Sequence, residues 1–63
     1  MQDWIRFDTN EELKAYVRER HPDCTFERSG RYDGHEVFIW NKDGRLIMKA
    51  WDYVKESILT GEY

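Results

Sequence analysis

The sequence is poor in cysteine and proline, with one of each, Cys24 and Pro22, among 63 residues. One cysteine cannot close a disulfide within the chain, which excludes a disulfide-stapled fold and is typical of a reducing compartment. Long apolar runs are also lacking, because the longest, Val37–Trp40, is far short of a membrane span. We therefore expect a soluble cytoplasmic protein with no membrane segment, stabilised mainly by buried aromatic side chains.

The sequence also lacks a strong excess of either charge. Thirteen acidic and ten basic residues give a formal net charge of −3, so no overall positive field recruits phosphate polymers. A chain this short buries only about 60% of the surface that its unfolded form exposes. We expect a single small domain over residues 1–63 with one core and no deep cleft, which excludes most enzyme architectures.

Residues that could carry chemistry are few and scattered. Cys24 lies three residues after His21, but no base-and-orienter arrangement that would activate a thiol is visible. The same pair supplies half of the four ligands that a structural zinc site needs. The carboxylates are spread among caps and turns, and no glycine-rich loop leads from a strand into a helix. We therefore predict a protein that is not an enzyme, with no catalytic residue, cofactor or metal.

The first quarter of the chain predicts a strand and then a helix. Residues 4–7 are rich in strand formers and alternate in character, which indicates an edge strand. Thr9 stands three residues before Glu12, the spacing of a helix-capping box. Pro22 should end the helix, because proline disfavours helical geometry at His21.

Two similar turns, at Asp33-Gly34 and Asp43-Gly44, predict hairpins in the middle of the chain. If each loop has three residues, Arg31 pairs with His35 and Asn41 pairs with Arg45. A two-residue first loop would instead move Phe26 to the face opposite Trp40. A slip of one residue inverts the faces of a strand, so we prefer the three-residue version, which gathers the large apolar residues on one face. These residues are Phe26, Phe38, Trp40, Leu46 and Met48.

The end of the chain carries two conflicting patterns. Residues 45–49 alternate like a strand, whereas the four-three-four spacing of Ile47, Trp51, Val54 and Ile58 is typical of a helix. We predict a strand over 45–49 and a helix from about residue 51 or 52 to Thr60, with Gly61 as its C-terminal cap. The predicted fold class is α+β, a two-layer sandwich with the order β-α-β-β-β-α and an antiparallel sheet with two helices on one face.

The second sheet face is the predicted functional surface. Two helices cover one face only, so Val37, Ile39 and Ile47 should form an apolar stripe on the other, with Trp51 near its edge. The alternative is that this stripe has no binding role, because β-branched residues favour strands in any case. We predict a small non-enzymatic interaction module that binds another protein or itself, as a homodimer, through this face. The predicted partner-binding residues are Arg31, Val37, Ile39, Arg45, Ile47, Lys49 and Trp51.

Nucleic-acid binding is the alternative function. Basic residues at Arg28, Arg31, Arg45 and Lys49 follow the predicted hairpins, with aromatic residues among them. The order helix, three strands, helix over residues 9–60 resembles the double-stranded RNA-binding domain, and this resemblance implies an RNA-binding surface. Positions that echo that family's first two strands are Pro22, Phe26, Gly30, His35 and Phe38. Asp52 and Glu56 depart from its basic cluster at the start of the last helix.

Overall fold

The computed structural model describes residues 4–62, so the predicted domain, 1–63, extends beyond it at both ends. Over these residues the chain forms five strands and one α-helix. In order, the elements are β1 (Ile5–Phe7), α1 (Asn10–Arg20), β2 (Thr25–Arg28), a 3-10 turn (Tyr32–Gly34), β3 (Glu36–Trp40), β4 (Leu46–Asp52) and β5 (Ser57–Glu62). The strands make one sheet in the order β1-β5-β4-β3-β2, and every neighbouring pair is antiparallel.

The start of the chain folds as its sequence predicts. β1 lies at an edge of the sheet. The Glu12 backbone N–H donates to the Thr9 hydroxyl oxygen at 3.2 Å, which satisfies one of the unpaired amides of the first turn. The helix ends at Arg20 and is capped by His21, immediately before Pro22.

The predicted second helix is wrong. Residues 46–52 and 57–62 form the β4–β5 hairpin, closed by the Tyr53 backbone N–H donating to the Glu56 carbonyl at 2.8 Å. Gly61 therefore belongs to a strand and caps no helix. Extended pairing prevails because it buries Ala50 and Leu59 against α1, a contact that a helix over these residues would give up. Three further predictions that depend on this helix are therefore wrong. They are the order β-α-β-β-β-α, the two helices on one face of the sheet, and the outline of the double-stranded RNA-binding domain.

The core lies between α1 and one face of the sheet. Leu13 and Val17 of the helix pack among buried sheet residues. Val37 and Ile39 belong to this core, with exposures of 5% and 0%, so the prediction that they form an exposed stripe is wrong. The other buried apolar residues of this core that belong to the sheet are Met48, Ala50 and Leu59, with Phe26 partly buried beside them.

A one-residue bulge in β4 changes which of its residues share a face with Val37 and Ile39. The second turn forms as predicted, since the Asn41 N–H donates to the Arg45 carbonyl at 2.9 Å. Trp40 accordingly pairs with Leu46, but Ile39 pairs with Met48, which leaves Ile47 as the extra residue. Without the bulge, Ile39 would face Ile47 and Val37 would face Lys49. The bulge instead places Met48 and Ala50 opposite them, so apolar pairs meet under α1.

The first turn also differs from its prediction. Arg31 and His35 do not form the closing pair, because the Ser29 N–H donates to the Glu36 carbonyl at 3.0 Å and the loop spans residues 30–35. Phe26 therefore pairs with Ile39 on the helix side, opposite in face to Trp40. The loop contains two left-handed residues other than glycine, Tyr32 with φ of 52° and Asp33 with φ of 57°. Strain of this kind persists only where surrounding contacts hold it.

Candidate functional site

The sheet face opposite α1 is covered by no other helix or strand of the described residues, and we call it the open face. Its members follow from the strand register, because side chains alternate between faces and paired residues share one. From one edge to the other they are Arg6 of β1, Ile58 of β5, Leu46, Lys49 and Trp51 of β4, Glu36, Phe38 and Trp40 of β3, and Thr25 and Glu27 of β2.

Aromatic rings form most of the apolar surface here. Phe38 and Trp40 meet edge to face with ring centroids 6.1 Å apart, and both are half-buried. Trp51 has Tyr32 against it at 5.3 Å and Tyr53 stacked on it at 6.3 Å. Such ring pairs are worth about 0.5–1.5 kcal/mol beyond their area burial. The rings therefore cover one another in part, and Phe38, Trp40 and Trp51 each keep some exposed surface.

Glu36 is the charged centre of the open face. Its side chain is only 2% exposed, because Arg31 lies 2.8 Å from one carboxylate oxygen and Lys49 lies 2.7 Å from the other. The pKa of Glu36 is held below its ordinary value, first by the hydrogen bond from Lys49 and then by those from Ser29 and Arg31, against the opposing effect of burial. A buried carboxylate with two cationic partners is ionised and fixed in position.

The Lys49 ammonium also contacts aromatic rings. Its Nζ lies 5.7 Å from the ring centroids of both Phe38 and Trp51. The Arg31 guanidinium lies 5.7 Å from the Tyr32 ring. Cations over ring faces gain from the ring quadrupole, more so when they are partly desolvated. The two cations therefore lie between Glu36 and the aromatic rings and connect them at the centre of the open face.

Other cations near this face are paired as well. Arg6 Nε donates to Glu56 at 2.6 Å. Arg28 reaches across the end of β3 on the helix side and binds both Asp52 and the Gly34 carbonyl. Trp40 Nε1 donates to the Glu27 carboxylate at 3.1 Å, which orients the indole. The charges of the open face are largely balanced internally.

The structure brings together only some of the predicted partner-binding residues. Arg31, Lys49 and Trp51 converge around Glu36. Val37 and Ile39 lie in the core on the opposite side of the sheet. Ile47 is half-buried and packs against the core, because it is the bulged residue. Arg45 is exposed in the β3–β4 turn, at the other end of the hairpin from Trp51.

Sequence reasoning missed the residues that form the open face most clearly. The sequence pattern predicts Phe38 and Trp40 on the face beneath the helices, and it gives Glu36 no place in a site. One signal was available: Glu36, Phe38 and Trp40 alternate with Val37 and Ile39, so one of the two sets had to face away from α1. Which set faces α1 depends on the bulge at Ile47, because the bulge places the apolar residues Met48 and Ala50 beside Ile39 and Val37.

Sites for chemistry are sparse in the described part of the chain. Burial raises the pKa of the Cys24 thiol, an effect that the nearby Arg18 only partly opposes. Within residues 4–62 no group of three or more histidine, cysteine, aspartate or glutamate side chains is arranged to hold a metal ion. Over the same residues, α1 is too short and too polar to cross a membrane. The open face is therefore the candidate site.

Comparisons with protein-family profiles, with curated proteins and with solved structures find no match for this chain.

Proposed function

We propose that this domain is a non-enzymatic interaction module that binds a protein surface, on another protein or on a second copy, through the open face of its sheet. The observation that carries the proposal is the row of half-buried rings of Phe38, Trp40 and Trp51 on a sheet face that no second layer formed by residues 4–62 covers. Aromatic residues are enriched where protein interfaces are most fully buried and contribute much of the binding energy there. Rings already held by neighbours lose little conformational freedom on binding.

The charge arrangement favours a protein partner over nucleic acid. Of the cations that a phosphate backbone would need, Arg28 is paired with Asp52, and Arg31 and Lys49 are paired with Glu36. A phosphate would have to compete with these carboxylates in a chain of net charge −3. A protein surface can cover the rings and leave the ion pairs intact.

A photo-crosslinking experiment tests the proposal. A benzoylphenylalanine is placed at exposed Thr25, which pairs with Trp40 on the open face, and at exposed Ala15 on α1 as the matched control. We expect protein crosslinks from position 25 in an extract of the source cells, and few from position 15. Excess unlabelled wild-type chain should suppress them, whereas a Trp40→Ala chain with a wild-type circular dichroism spectrum should not.

The outcomes separate the versions of the proposal. Crosslinks between copies, with sedimentation coefficients that rise with concentration, identify a homodimer. Crosslinks to one other protein in a monomeric chain identify a hetero-partner. Equal yields from positions 25 and 15, or no crosslink at position 25, would contradict use of the open face.

Nucleic-acid binding remains the second candidate, because exposed rings beside cations can stack bases. Phe38 and Trp51 with Lys49 between them form such an arrangement. Labelled duplex DNA, duplex RNA and single strands, titrated at low ionic strength where phosphate contacts are strongest, should show salt-dependent binding if this function holds. The absence of binding under those conditions would eliminate it.

A further inference from the structure

The outer edge of β2 has backbone groups that are directed away from the sheet. The Ser29 N–H donates to the Glu36 carbonyl, and Phe26 pairs with Ile39 in the same antiparallel register. Because hydrogen-bonded and non-hydrogen-bonded pairs alternate along such a ladder, Glu27 bonds β3 while the N–H and C=O groups of Phe26 and Arg28 point outward. Outward groups on an edge strand are a template for another extended chain.

A groove runs beside this edge, between β2 and the first half of α1. Its volume is about 80 Å³. One water molecule needs about 10–15 Å³ of such volume, so the groove has room for several waters or for a small side chain. The groove has an apolar floor, because it is lined by the core residues Leu13, Val37 and Ala50. Asn10, Lys14, Phe26, Glu27 and Arg28 complete its lining.

The helix side of this edge is cationic. Lys14 Nζ lies 5.8 Å and the Arg18 guanidinium 5.1 Å from the centroid of the Phe26 ring. Among the ion pairs formed by the side chains of residues 4–60, none joins Lys14 or Arg18 to a carboxylate. Glu27, the acidic residue of β2, belongs to the open face and accepts a hydrogen bond from Trp40.

We propose that the β2 edge binds an extended acidic segment of another protein by strand addition. The segment pairs with the outward groups of Phe26 and Arg28, inserts one apolar side chain into the groove, and places a carboxylate near Lys14 and Arg18. Main-chain bonds supply affinity in this recognition mode, and pockets for alternate side chains supply specificity. The site is separate from the open face and does not depend on the function proposed there.

A second copy is a poor occupant of the same edge. Two-fold antiparallel pairing of β2 with itself, centred on Glu27, sets two carboxylates opposite each other. Centring on Arg28 sets two guanidinium groups opposite each other, and centring on Phe26 brings together Lys14 and Arg18 from both copies. Like charges directly across a strand pair are destabilising. An acidic partner strand meets the opposite charge instead.

The test uses synthetic peptides and amide NMR on the whole chain. The probe is acetyl-Thr-Val-Thr-Glu-Thr-Val-amide, in which valine and glutamate project to one side of a strand, and its control has lysine in place of glutamate. We expect the acidic probe to shift the Phe26 and Arg28 amides and slow their hydrogen exchange, and to bind roughly 10-fold more tightly than the control. Equal affinities, or shifts confined to other amides, would overturn the proposal.

Matched variants locate the binding. Lys14→Glu should weaken the acidic probe about 3- to 10-fold, whereas Lys55→Glu, an equal charge change at an exposed site in the β4–β5 turn, should leave its affinity within about 2-fold. N-methylation of Phe26 by total synthesis removes one outward donor and keeps the β3 ladder, and it should abolish binding. Equal effects at positions 14 and 55, or unchanged binding after N-methylation, would refute strand addition. A Trp40→Ala chain should still bind the probe, which separates this site from the open face.

Discussion

Lys49 and Glu36 meet across two neighbouring strands, with Lys49 Nζ 2.7 Å from Glu36 Oε2, on the face of the sheet that no helix covers. Arg31 binds the other carboxylate oxygen at 2.8 Å and so ties the 30–35 loop to the sheet. A buried carboxylate is tolerated only when it is well paired, and here three charged groups from three segments complete one arrangement. The bulge at Ile47 makes it possible, because it moves Lys49 opposite Phe38 and within reach of Glu36.

The first prediction concerns acid stability. Hydrogen bonds from Lys49, Ser29 and Arg31 lower the pKa of Glu36 in the folded chain. A lowered folded pKa means that stability is fully present above the unfolded value of about 4.3 and is lost as the pH falls through the folded value. Urea midpoints should therefore fall more steeply below about pH 4.3 for the wild type than for Glu36→Gln. At pH 7 the variant should be less stable, because its two cations lose their anion. If the urea midpoints of the wild type and of Glu36→Gln fall in parallel with pH, the ionisation of Glu36 does not contribute to the pH dependence of stability.

The second prediction tests which face of β3 is the core. Ile39 is fully buried under Leu13 and Val17, whereas Val54 is 93% exposed. Ile39→Val should lower the free energy of unfolding by about 0.5–1.5 kcal/mol, and Val54→Ala should change it by less than about 0.5 kcal/mol. Urea denaturation followed by tryptophan fluorescence measures both. A neutral Ile39→Val would argue that this face is solvent-exposed after all.

Local signals in the sequence predicted the parts of the fold that local physics determines. The Thr9 cap, the proline stop at Pro22 and the Asn41–Arg45 pair each depend on a few consecutive residues, and each forms as expected. The sequence also predicts that Arg31, Lys49 and Trp51 lie on the sheet face away from the helix, and these three residues converge around Glu36 there. That this face binds a partner stays a prediction.

Long-range choices could not be read from the sequence. The bulge is a single unpaired residue, Ile47, and nothing in the local pattern distinguishes it from an ordinary strand residue. One such residue inverts the faces of the rest of β4, so the apolar residues Met48 and Ala50 lie beside Ile39 and Val37 rather than beside Phe38 and Trp40. The helical spacing near the end of the chain misled for a related reason. A short apolar pattern fits a helix as well as a strand. Residues 57–62 form a strand because they pair with β1 on one side and with β4 on the other.

The third prediction concerns the start of α1. The Thr9 hydroxyl accepts the Glu12 N–H at 3.2 Å, so Thr9→Ala should cost about 1 kcal/mol of stability. Thr9→Ser keeps the acceptor and is the matched control, with an expected cost of only a few tenths of a kcal/mol. Thermal unfolding by circular dichroism compares the two. Equal melting temperatures for the alanine and serine variants would mean that the cap contributes nothing.

The fourth prediction concerns Cys24. Burial raises the pKa of its thiol, so the thiolate fraction at neutral pH is lower than in an unfolded chain. Iodoacetamide should therefore modify Cys24 more slowly in the folded protein at pH 7.5 than in the protein unfolded by about 8 M urea. The rate for free cysteine, measured with and without urea, corrects for the effect of urea on the reaction itself. A faster reaction in the folded state would instead reveal an activated thiol.

The last prediction concerns the turn that joins β3 to β4. Gly44 has a φ of +80°, and a Cβ added there would meet no atom within 4 Å, so any cost of Gly44→Ala comes from the backbone alone. We expect a loss of about 1–2 kcal/mol, because left-handed geometry is unfavourable for alanine. Lys42→Ala, an exposed change in the same loop, should stay within about 0.5 kcal/mol. Nuclear Overhauser effects between Ile39 and Met48 should persist in both variants, because the hydrophobic pairing under α1 holds the register. Loss of that contact in Gly44→Ala would show that the turn, rather than the core, selects which face of β3 is buried.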